Sequence, residues 1–169
     1  MDPFALTAAA LREPWRLWTC HLVHYGWEHA LANACALAVP LSLARREDRP
    51  GLLAVALLAA PLLSLLLLPS LGLDQYRGAS GLACVLWAWV GLRQATQGLS
   101  LAVGLALLGG LALKLGGELA GGSGLLAAHP AWESLPQAHF WGALLGLALA
   151  SPHPGRYLRA ADLSFRGLP

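Results

Sequence analysis

Residues 51–73 read GLLAVALLAAPLLSLLLLPSLGL and contain no Asp, Glu, Lys or Arg. A helix needs about 20 mostly apolar residues to cross the hydrocarbon of a bilayer, so this stretch alone is long enough to span one. Four more uncharged stretches surround it, at residues 30–44, 78–92, 94–113 and 134–155. The last two also reach spanning length. The first two are shorter and span only if their polar flanks face protein rather than lipid. The spacing predicts five transmembrane helices, over 27–45, 52–69, 80–95, 99–118 and 136–151. Pro40 and Pro61 fall inside apolar stretches, where membrane helices tolerate a kink.

Composition agrees with the spans. Of the 169 residues, 57% are hydrophobic and only 12% charged, against roughly 25% charged in a soluble domain. A net charge of +2 leaves no basic face for nucleic acid. Cys20, Cys35 and Cys84 are odd in number and lack CxxC spacing, so neither a disulfide framework nor a zinc knuckle is indicated. The fold class is an all-α polytopic bundle, one domain over residues 1–169 with a tail at 152–169. Residues 4–11 are too short to span, and with Asp2 ahead of them and no basic n-region they do not read as a signal peptide.

Arginines set the orientation. Arg45, Arg46, Arg49, Arg93, Arg156, Arg159 and Arg166 share one side, against Arg12, Arg16, Arg77 and Lys114 on the other. The first side is expected to be the cytoplasm, with the carboxy terminus there and loops 12–26, 70–79 and 119–135 outside. The Gly121-Gly122-Ser123-Gly124 run in the last of these reads as a mobile cap or equally as ordinary loop chemistry.

The residues a membrane should exclude carry the functional reading. His21, His24 and His29 crowd the start of the first span, with Asn33 one turn below His29. The third span opens Gly78-Ala79-Ser80-Gly81, and the last opens Gln137-Ala138-His139, followed by Gly142 and Gly146. On the deduced topology all three clusters share one depth. Taken singly, His21, His129 and His153 read as headgroup or carbonyl partners, and Ser80 as a packing residue. Together they fit nucleophilic catalysis. A serine hydroxyl needs an adjacent base, and a neutral imidazole suits that task. Ser80 at a helix amino terminus gains unpaired N–H groups for an oxyanion, and His24 and Asn33 can add donors. No acid lies near His139 along the last helix, the nearest being Glu133 in the preceding loop, so a Ser-His dyad is expected rather than a triad. Two small-residue stripes, Ser80/Cys84/Ala88 and Gly142/Gly146/Ala150, would let the two backbones approach closely.

These motifs resemble the rhomboid family of intramembrane serine proteases over roughly residues 13–150. Trp15-Arg16-Leu17-Trp18-Thr19 resembles the family's first loop, and His24, His29 and Asn33 its His-x4-His-x3-Asn helix. Gly78-Ala79-Ser80-Gly81 resembles the GxSG motif, and Ala138-His139 with Gly142 and Gly146 the base-bearing helix. The resemblance implies Ser80 as nucleophile, His139 as base, His24 and Asn33 with the Ser80 amide as oxyanion donors, and His29 and Gly78 in support. It implies no cofactor and no metal. Tyr76-Arg77, Gly26-Trp27-Glu28-His29, and Lys114 with Glu118 are similar to the rhombosortase branch. That similarity implies substrates anchored in the bacterial inner membrane by a carboxy-terminal Gly-Gly motif, a transmembrane helix and a basic tail, cut on the periplasmic side. Lys114 and Glu118, spaced i,i+4, read as an ion pair or as a substrate gate.

The chain also departs from the family pattern. The family's six-helix core has a helix before Trp15 with no counterpart here. Cys84 replaces an aromatic residue that stacks on the base, leaving Trp141, Trp87 or a water to orient His139. Arg45 stands where an acid is usual at the inner end of the first span, with Glu47 displaced. Two other classes compete. One is a non-catalytic rhomboid-like protein that binds transmembrane helices. The other is a haem or metal protein using His24, His29 and His139, which the small-residue stripes leave little room for.

Overall fold

The computed structural model describes residues 2–71, 75–97, 100–120 and 135–150. His129, Glu133, His153, the 121–124 run and the tail at 152–169 lie outside the described residues. Among those described, six α-helices occur: α1 (Arg16–Thr19), α2 (Trp27–Leu43), α3 (Arg49–Leu67), α4 (Ser80–Gln97), α5 (Leu101–Leu119) and α6 (Pro136–Ala150). The five long ones correspond to the five expected spans, with ends shifted by a few residues. α2 stops at Leu43 because Ala44 turns extended. α3 begins earlier than expected, at Arg49, with a proline in its first turn, where the missing N–H costs nothing. α1 is a single turn. Among the described residues, two segments, Arg46–Ser70 and Leu101–Leu119, are long and apolar enough to cross a membrane by length and composition alone.

α4 is the axis of the bundle. It buries residues on every side, including Gly81, Cys84, Val85, Ala88, Trp89 and Gln94. α3 and α5 instead expose large apolar side chains, among them Leu53, Leu57, Leu58, Leu65, Leu101, Leu105 and Leu113. An apolar rim of that extent has no place in water and suits lipid. Two side-chain ties fix α2 to α4: Trp87 Nε1 donates to the Ala36 carbonyl at 2.7 Å, and Gln94 Nε2 to the Leu43 carbonyl at 2.7 Å. Each satisfies a polar group that the apolar interior would otherwise penalise.

The amino-terminal segment lies across the end of the bundle where α4 begins. Leu6 and Tyr76 exchange both backbone hydrogen bonds at 3.0 Å in an isolated antiparallel bridge. Arg16, buried, donates to the Asp2 and Ala5 carbonyls at 2.9 and 2.8 Å and pairs with Glu13. Leu6, Ala10 and Cys20 thereby join Leu63, Leu67 and Tyr76 in one apolar cluster. Arg16 is therefore not a free loop charge, and the loop before Ser80 is held from outside the helices.

The opposite end is closed by Asp48. Its carboxylate accepts from Arg45 Nε at 2.7 Å and from Arg93 at 2.5 and 3.0 Å, while Arg45 also donates to the Gln97 carbonyl at 3.0 Å. Arg93 stacks over the Trp89 ring at 4.8 Å. Asp48, rather than Glu47, supplies the acid at this end, and Arg45 is its partner. Burial by itself would raise the Asp48 carboxyl, but hydrogen bonds from Arg45 and Arg93 outweigh it and hold it below the ordinary carboxylate range. A folded value below the unfolded one stabilises at pH above the ordinary range, and that contribution disappears as pH falls through the folded value. Asp48→Ala leaves two guanidinium groups facing each other and is expected to cost about 3–5 kcal/mol. Unfolding midpoints of wild type and Asp48→Ala should differ widely at pH 7 and converge on acidification.

Candidate active site

Ser80, the first residue of α4, is half-buried. The loop ahead of it is set by Gly78, which has φ of +115° and donates its N–H to the Cys20 carbonyl at 2.9 Å. A Cβ at Gly78 would lie 2.6 Å from His29 Cε1 and 3.5 Å from Asn33 Nδ2. Only glycine fits both the dihedral and the space, and the close approach presses the His29/Asn33 face of α2 against the turn into Ser80. Asn33 spends one amide N–H on the His29 carbonyl, at 2.8 Å, and its NH₂ group carries a second. The His24 ring meets His29 edge-on at 5.2 Å between centroids, and His24 Nε2 is buried without a hydrogen-bond partner. Burial draws the His24 imidazole below its ordinary value, favouring the neutral ring with one N–H to offer. His29 stacks on Tyr25 and lies within electrostatic reach of His139.

α6 approaches the start of α4 at backbone contact. A Cβ on Gly142 would lie 2.3 Å from the Gly81 carbonyl oxygen, and one on Gly146 2.2 Å from that of Val85. A Cβ on Gly81 would meet the Ala138 carbonyl at 3.0 Å and the Tyr76 hydroxyl at 3.2 Å. Gly142 and Gly146 thus form the expected stripe, but they rest on the backbone of Gly81 and Val85, with Cys84 and Ala88 beside them. Ser80 and His139 flank the contact between Gly81 and Ala138. His139 is buried. The Tyr76 hydroxyl nears the Ser80 side chain and the Gly81 amide without a well-formed hydrogen bond to either, and burial pushes its phenol well up, so it remains protonated.

One expectation fails here. His139 does have a carboxylate beside it: Nδ1 lies 2.9 Å from Glu118 Oε2 and equally close to Oε1. Glu118 belongs to the last turn of α5, and Lys114, one turn earlier, holds it at 2.6 Å. The Lys114–Glu118 pair exists as read from its spacing, but it continues into the imidazole. Neither tryptophan orients His139 by a hydrogen bond from its ring N–H: Trp87 Nε1 is spent on Ala36, while Trp141 packs edge-on against Phe140. Cys84 lies against α6, its Cβ 3.3 Å from where a Gly142 Cβ would be.

His21 has a structural place. It is buried, with Nε2 3.1 Å from both the Ala60 carbonyl and Ser64 Oγ, and Nδ1 3.4 Å from the Gly78 carbonyl. Burial keeps it below its ordinary value, hence neutral, and the two acceptors at Nε2 favour the proton there. Ser64 Oγ in turn donates to the Leu17 carbonyl at 2.8 Å. This network fixes the turn ahead of Ser80 to α3 and the first loop. Reading the sequence missed Ser64. The available signal was a lone hydroxyl on the leucine-rich span.

A hydroxyl at a helix amino terminus, a buried imidazole on the helix packed against it, one side-chain donor on a third helix and another just ahead of that helix are the parts acyl transfer needs. Among the described residues no group of three or more His, Cys, Asp or Glu is placed to hold a metal ion. Residues 11–153 match the family model of the Rhomboid domain. No curated protein and no solved structure matches the chain. The match covers most of the chain and agrees with the all-helical bundle, so this protein belongs to the rhomboid family, the membrane-embedded intramembrane serine proteases.

Proposed function

We propose that the chain is an intramembrane serine endopeptidase that cleaves membrane-anchored proteins at the outer face of the bilayer. Ser80 attacks the scissile carbonyl as its proton passes to Nε2 of His139. The tetrahedral oxyanion is met by the Ser80 amide, His24 Nε2 and the second Asn33 N–H. Collapse of that intermediate passes the proton from His139 to the leaving amine. Water then attacks the acyl-enzyme with His139 again as base, releasing the acid and restoring the serine. His29 and Gly78 support the donors by packing. The observation that carries this reading is the backbone contact of Gly142 with Gly81, which brings the amino-terminal ends of α4 and α6 together. The unpartnered His24 Nε2 adds a donor with nothing else to serve.

Substrates are transmembrane proteins, and the rhombosortase-like details favour those ending in Gly-Gly, a transmembrane helix and a basic tail. The rhombosortase-like details favour a bacterial inner membrane, and arginine placement favours the site facing the periplasm with the carboxy terminus in the cytoplasm. The domain is taken to be a single unit. No cofactor enters any step. The test is mass spectrometry of a tagged substrate carrying that carboxy-terminal signal, co-expressed with the wild type or Ser80→Ala. A new carboxy terminus next to the Gly-Gly pair, present only with the wild type, is expected. An intact substrate with both, or a cut that persists with Ser80→Ala, would overturn the reading.

A further inference from the structure

Among the described residues Glu118 is the least exposed of the ion-paired acids, and the dyad gives it no task. Its side chain is 3% exposed. It sits in the last turn of α5, where the helix dipole disfavours a negative charge. Burial and dipole both oppose ionisation there, so the ionised acid needs compensating partners on its oxygens. Two are present, Lys114 Nζ at 2.6 Å and His139 Nδ1 at 2.9 Å. Lys114 alone would neutralise the charge. The second contact instead joins Glu118 across helices to His139, the imidazole proposed above as the base for Ser80, at a ring itself only 4% exposed.

We infer that Glu118 is a positioning residue for His139, accepting the Nδ1 proton so that Nε2 is left free to take the proton of Ser80, and that this protein works with a carboxylate-oriented base. The inference rests on the Ser80–His139 reading above. A carboxylate only accepts hydrogen bonds, so its contact with Nδ1 selects the Nδ1–H tautomer and leaves a lone pair on Nε2. When Ser80 attacks, its proton moves to Nε2 and the ring becomes imidazolium. The Nδ1 proton stays where it is and the adjacent carboxylate stabilises the new positive charge. No second proton moves. Lys114, 36% exposed, keeps Glu118 ionised from its outer side. The arrangement takes over the orienting task that an aromatic residue in place of Cys84 would have had.

The experiment uses the full chain in detergent micelles. A fluorophosphonate probe measures the labelling rate of Ser80, and ¹⁵N imidazole shifts at pH 8, assigned by difference with His139→Gln, read the tautomer. Wild-type His139 is expected to carry its proton on Nδ1. In Glu118→Gln the amide N–H₂ can donate to Nδ1, so the proton should move to Nε2 and labelling should slow by about 100-fold or more, with the helical spectrum retained. A purely structural Glu118 would not shift the tautomer. Labelling of a folded Glu118→Gln within about threefold of wild type, or a wild-type ring protonated on Nε2, overturns the inference and leaves the protease reading standing. If Glu118→Gln does not fold, the wild-type spectrum decides alone. An unlabelled wild type overturns the protease reading instead, and the spectrum still decides whether Glu118 fixes the ring.

Discussion

Ser80→Ala is expected to abolish covalent labelling by a fluorophosphonate, and His139→Ala to slow it about 10⁴-fold, with Ser80→Ala as helical and as heat-stable as the wild type. The two losses differ in kind. Removing Ser80 Oγ removes the proposed nucleophile itself, so no residual rate is expected. Removing the imidazole leaves the hydroxyl and the oxyanion donors in place but nothing to take the proton. A 10⁴-fold loss corresponds to about 5.4 kcal/mol of barrier. Folding should survive because Ser80 is half-buried at a helix end and its side chain is replaced by a smaller one. His139 is buried, and its loss takes a partner from the buried Glu118 carboxylate and should cost stability as well, so His139→Gln is the milder control. The double variant should be no worse than Ser80→Ala, since groups acting as one unit are not additive. Labelling that persists in Ser80→Ala would place the nucleophile elsewhere and remove the catalytic reading with it.

How much of this was legible in the sequence follows from how far apart in the chain each interaction reaches. The long helices could be read directly, because a lipid-facing span needs an unbroken apolar run, and residues 51–73 supply one. The three polar clusters were legible because charge and hydrogen-bonding groups are costly in a span, so His24, His29, Asn33, Ser80 and His139 stood out against Leu and Ala. Partners supplied by a different helix were not legible. Glu118 is one turn from Lys114, and i,i+4 pairs are the contacts that helical periodicity reveals. Its bond to His139 crosses from α5 to α6, 21 residues along the chain, and no periodicity encodes that. Asp48 was missed for a similar reason: its second partner, Arg93, is 45 residues away. Ser64 and His21 meet across 43 residues. The amino-terminal segment was read only as too short to span, whereas its strand-like pairing of Leu6 with Tyr76 depends on backbone groups that every sequence shares.

The glycines of α6 lead to the largest structural effect expected of a single methyl group. A Cβ at Gly146 would sit 2.2 Å from the Val85 carbonyl oxygen and 2.8 Å from Ala88 Cβ, and one at Gly142 2.3 Å from the Gly81 carbonyl oxygen. In each case the obstructing atom is backbone of the central helix, which cannot rotate aside. Gly146→Ala and Gly142→Ala must therefore push α6 away from α4, and overpacking of this kind costs about 1–3 kcal/mol or more. In a membrane bundle the cost falls on the contact that substitutes for the hydrophobic effect between helices. Helix propensity works in the opposite direction, favouring Ala over Gly by about 1 kcal/mol. Gly109 separates the two contributions, because it also lies in a helix interior and its Cβ would meet nothing within 4 Å. Gly109→Ala is expected to leave the unfolding midpoint unchanged or raised, while Gly142→Ala and Gly146→Ala lower it. The two α6 variants should then divide by function. Gly142 is three residues from His139 on the same face, so Gly142→Ala displaces the base from Ser80 and should lose most labelling even where the protein stays folded. Gly146→Ala acts one turn deeper and should lose more stability than activity. Equal midpoints for Gly109→Ala and Gly146→Ala would mean that α6 does not rest on the α4 backbone, and the proposed pairing of Ser80 with His139 would lose its physical basis.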